Sequence, residues 1–112
     1  MAGMSTTLTL FSEEKNKRTS TYSGHVVSDP HVVIETRRVP DGNQSMMEST
    51  VKVVSGIEDS DGVQLSSKVT FEATVRYPVL GIAADVAAAL VIFRDIIAGD
   101  EFAATVSTQN WL

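Results

Sequence analysis

The chain has 112 residues, 43% of them hydrophobic and 21% charged, so one folded domain with a modest core is expected. It has no cysteine, which excludes disulfides and thiolate metal sites. Its formal net charge of −5 argues against nucleic-acid binding by bulk charge, unless the cations gather on one surface.

Met1 to Leu10 lacks the charged start and long apolar run of a secretory signal. Thr6 to Phe11 is rich in strand formers. Glu13 to Lys17 then reads as a polar turn, with Thr19 to Tyr22 as the returning strand. Asp29-Pro30 is a break, and His31 to Val39 is the next strand. Pro40-Asp41-Gly42-Asn43 combines a fixed φ, a side-chain acceptor and a glycine, and so predicts a turn. Ser45 to Ser55 returns from it.

A symmetric turn at Pro40–Asn43 puts Val32, Ile34, Met47, Val51 and Val53 on one face. His31, Val33, Glu35, Arg37, Glu48, Thr50 and Lys52 fall on the other. A slip of one residue would exchange partners between these sets. Gly56 to Gly62 is an acidic loop. Val63 to Tyr77 predicts a fifteen-residue strand with apolar residues on odd positions and Ser67 as the one interruption.

Pro78 ends the strands. From Ile82 the period becomes helical, through Val86, Ala89, Leu90, Phe93, Ile96 and Ile97. The apolar run Val86 to Phe93 is too short to span a bilayer. Gly99 suits a helix end, and Asp100 can cap a second helix over Glu101 to Ser107. Trp111-Leu112 is an apolar terminus that wants a partner.

The order is α+β: an N-terminal hairpin and antiparallel meander, then two helices. We expect a single domain over 1–112, with a β part at 5–77 and a helical part at 82–107. The first helix is aliphatic around much of its circumference, since Val91 and Ile92 lie off the main stripe. Burying Val86, Leu90, Phe93, Ile96 and Ile97 contributes roughly 8–15 kcal/mol gross. Leaving the extra stripe exposed would make a large apolar patch. A homodimer partner is therefore expected at Val86, Leu90, Phe93, Ile97 and Trp111. The plainer alternative is a fully buried helix in a monomer.

Five stretches carry a resemblance to a known family. Lys68-Val69-Thr70-Phe71-Glu72-Ala73-Thr74 and Ser49-Thr50-Val51-Lys52-Val53 resemble strands of the coat proteins of single-stranded RNA (levivirus-type) bacteriophages. Ala87 to Gly99, Phe102-Ala103-Ala104 and Asn110-Trp111 resemble that family's long helix, short helix and aromatic end. The resemblance implies a sheet of about five strands, helices interlocked in a dimer, and an icosahedral shell. It implies genomic RNA hairpin binding on the inner sheet face, serving packaging and translational repression. Location would be the virion, assembled in the bacterial cytoplasm. The family's inter-dimer loop corresponds to Glu58, Asp59, Ser60, Asp61 and Gly62. The region between Gly24 and Pro30 is compressed relative to the family, and Val33 stands where a small polar RNA contact is common.

On that resemblance Lys52, Thr50, Thr70 and Glu72 are RNA contacts, while Lys68, Arg37 and His31 follow from face assignment alone. Lysines would neutralise phosphates and Arg37 could stack on a base. Glu72 can only accept from a base amino group, which favours discrimination over affinity. The plain alternative is a solvated polar face. No Ser-His-Asp set, phosphate-binding glycine loop or zinc spacing is seen, and no catalytic residue or cofactor is expected. His25 and His31 read as structural. Glu58, Asp59 and Asp61 could hold a divalent cation between copies, but more often form a solvated turn. The expected partners are the chain itself and RNA, with no membrane and no small-molecule substrate. Two other classes compete. A small dimeric α+β enzyme or ligand binder would need a pocket of convergent polar groups. A non-viral RNA-binding module would show stacking aromatics on its wet face, and none is seen.

Overall fold

β-branched residues alternate with polar ones through most of the first 78 positions, and this pattern builds a single antiparallel sheet. The computed structural model describes residues 3–38 and 46–112. The sheet has five strands: β1 (Thr9–Glu14), β2 (Lys17–Thr21), β3 (His31–Arg38), β4 (Met46–Ser55) and β5 (Val69–Pro78). They lie in chain order, so every neighbour is a sequence neighbour. The N-terminal hairpin supplies the first two of the five. Two helices follow, α1 (Ala83–Ala98) and α2 (Asp100–Thr108). The chain divides into two compact units, Met1–Val79 and Leu80–Leu112.

In the first unit, Glu13 pairs with Arg18 and Glu14 with Lys17. The predicted turn over Glu13–Lys17 is therefore only Lys15-Asn16, because the two glutamates find cationic cross-strand partners. A bulge between Leu10 and Ser12 interrupts that pairing. From β2 to β3 the chain makes a compact link. Gly24 takes φ +93°, and Val26 bridges Asp29.

The β3–β4 register corrects the sequence reading. Val33 opposes Val53, Glu35 opposes Val51, and Ile34 opposes Lys52. Directly opposed residues share a face; Val33 would meet Thr50 in the symmetric closure and meets Val53 instead, a shift of three residues that, being odd, exchanges the faces. Val33 thus joins Val51, Val53, Phe71, Ala73 and Val75 on the apolar face. It is the one buried hydrophobic residue among those described, at 8% exposure. Met4, Thr6 and Leu8 of the N-terminal segment border the same hollow as Tyr22, Val33, Val51 and Val53, which explains its burial. The Pro40–Asn43 turn lies outside the described residues.

The last strand is shorter than predicted. Val63 to Leu65 fold back on Ile57 to Asp59: Leu65 N–H donates to the Ile57 carbonyl at 2.9 Å, and Glu58 bridges Gln64. The chain bends at Ser66-Ser67 and re-enters the sheet at Val69. The polar Ser67 marks this break.

In the second unit, α1 has Ile82 as N-cap with no side-chain cap, and Asp85 in its first turn. Gly99 is extended (φ −77°, ψ 155°) and serves both as the end of α1 and the N-cap of α2. Asp100 is the first residue of α2, so the cap is one residue earlier than the sequence predicts. A side chain at Gly99 would meet first the end of the exposed Glu101 side chain, which can swing aside, so neither space nor φ demands glycine there. Gln109, at φ 58°, closes α2 in the left-handed conformation. No helix among the described residues is long and apolar enough to cross a membrane.

Candidate nucleic-acid interface

Period-two alternation and the observed register decide which side chains meet. Lys52 opposes Glu72, Thr50 opposes Thr74, and Val54 opposes Thr70. The structure therefore brings Lys52, Thr50, Thr70 and Glu72 together on one face of adjacent central and edge strands. Thr50 and Thr74 hydroxyls lie 3.2 Å apart. Arg76 Nε donates to Glu48 Oε2 at 3.3 Å on the same face. Sequence reasoning places Glu48 on the face of Thr50 and Lys52 but misses Thr36, and it names none of Thr36, Thr74, Glu48 and Arg76 as a contact. Thr36 lies opposite Thr50, and Arg38 opposite Glu48, which extends the face onto β3.

This face offers hydroxyls that donate or accept, three cations and two carboxylates on β3–β5. Such a set can hydrogen-bond base edges and neutralise a few phosphates, but it has no strong positive field. Lys52 and Glu72 attract each other across the strands, so a polyanion would have to compete with Glu72 for the lysine.

Three predicted members lie elsewhere. Arg37 and His31 share the apolar face with Val33, because the register puts them opposite Ser49 and Ser55. Arg37 Nη2 donates to the Lys15 carbonyl at 3.2 Å. Lys68 precedes β5, and its Nζ turns back to the Leu65 carbonyl at 3.0 Å.

His31 belongs instead to a polar knot at the sheet end. Its Nε2 lies 3.3 Å from Asp29 Oδ2, and its Nδ1 lies 3.2 Å from Ser55 Oγ. The fold thus assembles an Asp-His-Ser set that the sequence does not reveal. The Ser55 hydroxyl is also 3.2 Å from the Gly56 carbonyl, so the set fastens backbone. His25 Nδ1 accepts the His31 N–H at 3.0 Å, and the Tyr22 ring meets His31 edge-on. Asp29 Oδ1 and Gln64 Oε1 are buried without hydrogen-bond partners, and both close on Gly56, which leaves no room for a side chain there.

The acidic loop does not gather its carboxylates for a cation. Asp59 Oδ1 accepts from the N–H groups of Asp61 (2.9 Å) and Val63 (3.0 Å). Glu58 Oε1 accepts from Gln64 Nε2 at 3.3 Å. Among the described residues no group of three or more His, Cys, Asp or Glu could hold a metal. At the opposite end of the sheet, Glu13 hydrogen-bonds Arg18 at 2.8 Å and holds its guanidinium above the usual range.

The helical unit is apolar and exposed. No residue of α1 is buried, and Leu90, Phe93, Ile96 and Ile97 are each more than two-fifths exposed. Trp111 is 97% exposed.

No protein-family model matches the chain, and no curated protein sequence matches it. Solved structures do. The virus-like particle of Wenzhou levi-like virus 4 superposes with a TM-score of 0.80 at 13% identity, over 93% of this chain and 75% of that one. That of Beihai levi-like virus 32 gives 0.75 at 12% identity, over 98% and 91%. The capsid protein of bacteriophage GA gives 0.64 at 15% identity, over 96% and 86%. The five-stranded meander followed by two helices is thus the fold of the coat proteins of levi-like viruses and single-stranded RNA bacteriophages.

Proposed function

We propose that this chain is a virion coat protein that dimerises, assembles into an icosahedral shell and binds its genomic RNA on the polar sheet face. The observation that carries the reading is the combination of this fold with a helix that has no buried residue in one copy. Covering the exposed half of Leu90, Phe93, Ile96 and Ile97 would contribute roughly 3–6 kcal/mol gross per copy, at about 1.5–3 kcal/mol per fully buried side chain. Counted over two copies, that is comparable with the cost of association. Val86 and Trp111 would join the same dimer interface.

Lys52, Thr50, Thr70 and Glu72 would meet RNA through the charges and hydroxyls described above. Thr74 and Thr36 extend that surface. Arg37 and His31 lie on the opposite face in this register, and Lys68 stands before β5 with its ammonium on the Leu65 carbonyl, so this reading does not use them. With few cations, binding would depend on fitted contacts to a folded hairpin more than on charge. Repression of translation would follow from occupying a start site.

The test is expression of the full chain in bacteria, followed by nuclease treatment of the purified protein. A coat protein would retain RNA resistant to nuclease inside particles. Recovery of RNA-free protein that fails to bind any added RNA hairpin or genomic transcript would overturn the RNA role.

A further inference from the structure

The β2–β3 ladder ends on a rung that the backbone alone does not complete. Tyr22 stands opposite His31, one step beyond the Thr21–Val32 pair. Its N–H donates to the His31 carbonyl at 3.1 Å, as in a hydrogen-bonded antiparallel pair. The return bond is replaced. The Tyr22 carbonyl accepts from His25 N–H at 3.2 Å, and His31 N–H donates to His25 Nδ1 at 3.0 Å. The chain bends to allow this. Tyr22 to His25 form a turn with Gly24 at its third position, at φ +93°. Val26 and Asp29 then close a two-residue loop by exchanging N–H···O bonds of 3.2 and 3.1 Å. An imidazole therefore stands where a ladder carbonyl would, and an imidazole titrates.

We propose that His25 is a proton-operated latch on the link between β2 and β3: unprotonated it closes the last rung, and protonation frees residues 23–28 from the sheet end. A backbone N–H can only donate, so His25 Nδ1 must keep its lone pair. A second proton on the ring sets N–H against N–H and breaks the rung. The latched form excludes a proton that the open form takes up, so the latch weakens as the pH falls. Imidazole is the side chain that changes charge between about pH 5 and about pH 8. The proton has a route: His25 is partly exposed and lines a hollow with Ser5, Thr7, Thr21 and Ser23, which carry hydroxyls and no charge. From β1 the ring meets only Phe11, edge-on at 6.3 Å between centroids. The titratable groups around it among the described residues are Tyr22, His31 and Asp29. His31 makes the opposite demand. Its Nε2 faces Asp29, and its Nδ1 faces the Ser55 hydroxyl, which reaches on to the Gly56 carbonyl. A protonated ring donates at both nitrogens and keeps those contacts. Acid thus unfastens His25 and leaves His31 moored. The latch belongs to this link alone and holds whether or not copies assemble.

The experiment uses the full chain and follows amide hydrogen exchange of residues 23–31, each rate taken relative to its intrinsic rate at that pH. From about pH 8 to about pH 5 the protection of this link should fall by about threefold to tenfold, the factor that one net hydrogen bond is worth. The amides of β4 and β5 should keep theirs. His25→Asn carries an amide oxygen that can stand in for Nδ1 and does not titrate, so its link should hold the same protection at both pH values to within about twofold. His25→Ala has no acceptor. At both pH values it should show the protection that the unaltered chain shows at about pH 5, which tests the latch whether or not asparagine reaches the His31 N–H. His31→Gln keeps the backbone N–H and a donor toward Asp29, and should retain the fall. No fall in the unaltered chain overturns the proposal, as does an equal fall in His25→Ala. A fall abolished by His31→Gln overturns it too, and assigns the proton to the His31–Asp29 pair.

Discussion

The two faces of the sheet share strands and hydrogen-bond ladder but are held by different forces. The apolar face gathers Val33, Val51, Val53, Phe71 and Val75, and the N-terminal segment borders its centre. The polar face carries Thr50 beside Thr74, Glu48 beside Arg76, and Lys52 opposite Glu72. Packing is cooperative and intolerant of charge, whereas exposed polar pairs are individually weak. Stability should therefore reside on one face and recognition on the other.

Substitutions can break that division in order of effect. Val33→Asp places a carboxylate at the one buried apolar position described and should cost about 4 kcal/mol or more, enough to prevent folding. Loss of soluble protein, or collapse of its denaturation midpoint, would be the readout. Gly56→Ala should cost roughly 1–3 kcal/mol, because the added methyl meets Asp29 Oδ1 beside the polar knot. Its urea midpoint compared with that of Gly62→Ala, where the new methyl meets nothing but φ is +80°, separates crowding from backbone strain. Lys52→Ala should leave stability within about 0.5 kcal/mol. It should reduce the salt slope of RNA binding by about 0.7–0.9 for each phosphate that the lysine neutralises. An unchanged slope removes Lys52 from the interface. Arg76→Ala should change stability little, by about 0–1 kcal/mol, since its pair with Glu48 is exposed.

The sequence is most legible where the period runs longest. Val69 to Tyr77 alternates without a break, and its apolar positions do fall on one face opposite β4. The helices are equally clear from spacing and alanine content. The β3–β4 hairpin is not, because its register has to be inferred from a turn assumed to be symmetric. An error of an odd number of residues, here three, exchanges whole faces. It sends Val33 to the wet side and draws in Arg37 and His31. The grouping of Lys52, Thr50, Thr70 and Glu72 escapes that error, since it depends on β4 and β5. The Asp29–His31–Ser55 knot is hidden for the same reason: in the true register His31 faces Ser55 directly. The early end of the predicted long strand has a signal in Ser67. What no local pattern could show is the fold-back of Val63–Leu65 onto Ile57–Asp59, which depends on loop contacts.

The central claim is that copies interlock into a closed shell. Electron microscopy of the purified full chain at micromolar concentration tests it most directly. Closed, uniform particles tens of nanometres across are the expected image. A field empty of particles, with sedimentation reporting only a well-behaved monomer, would contradict the account.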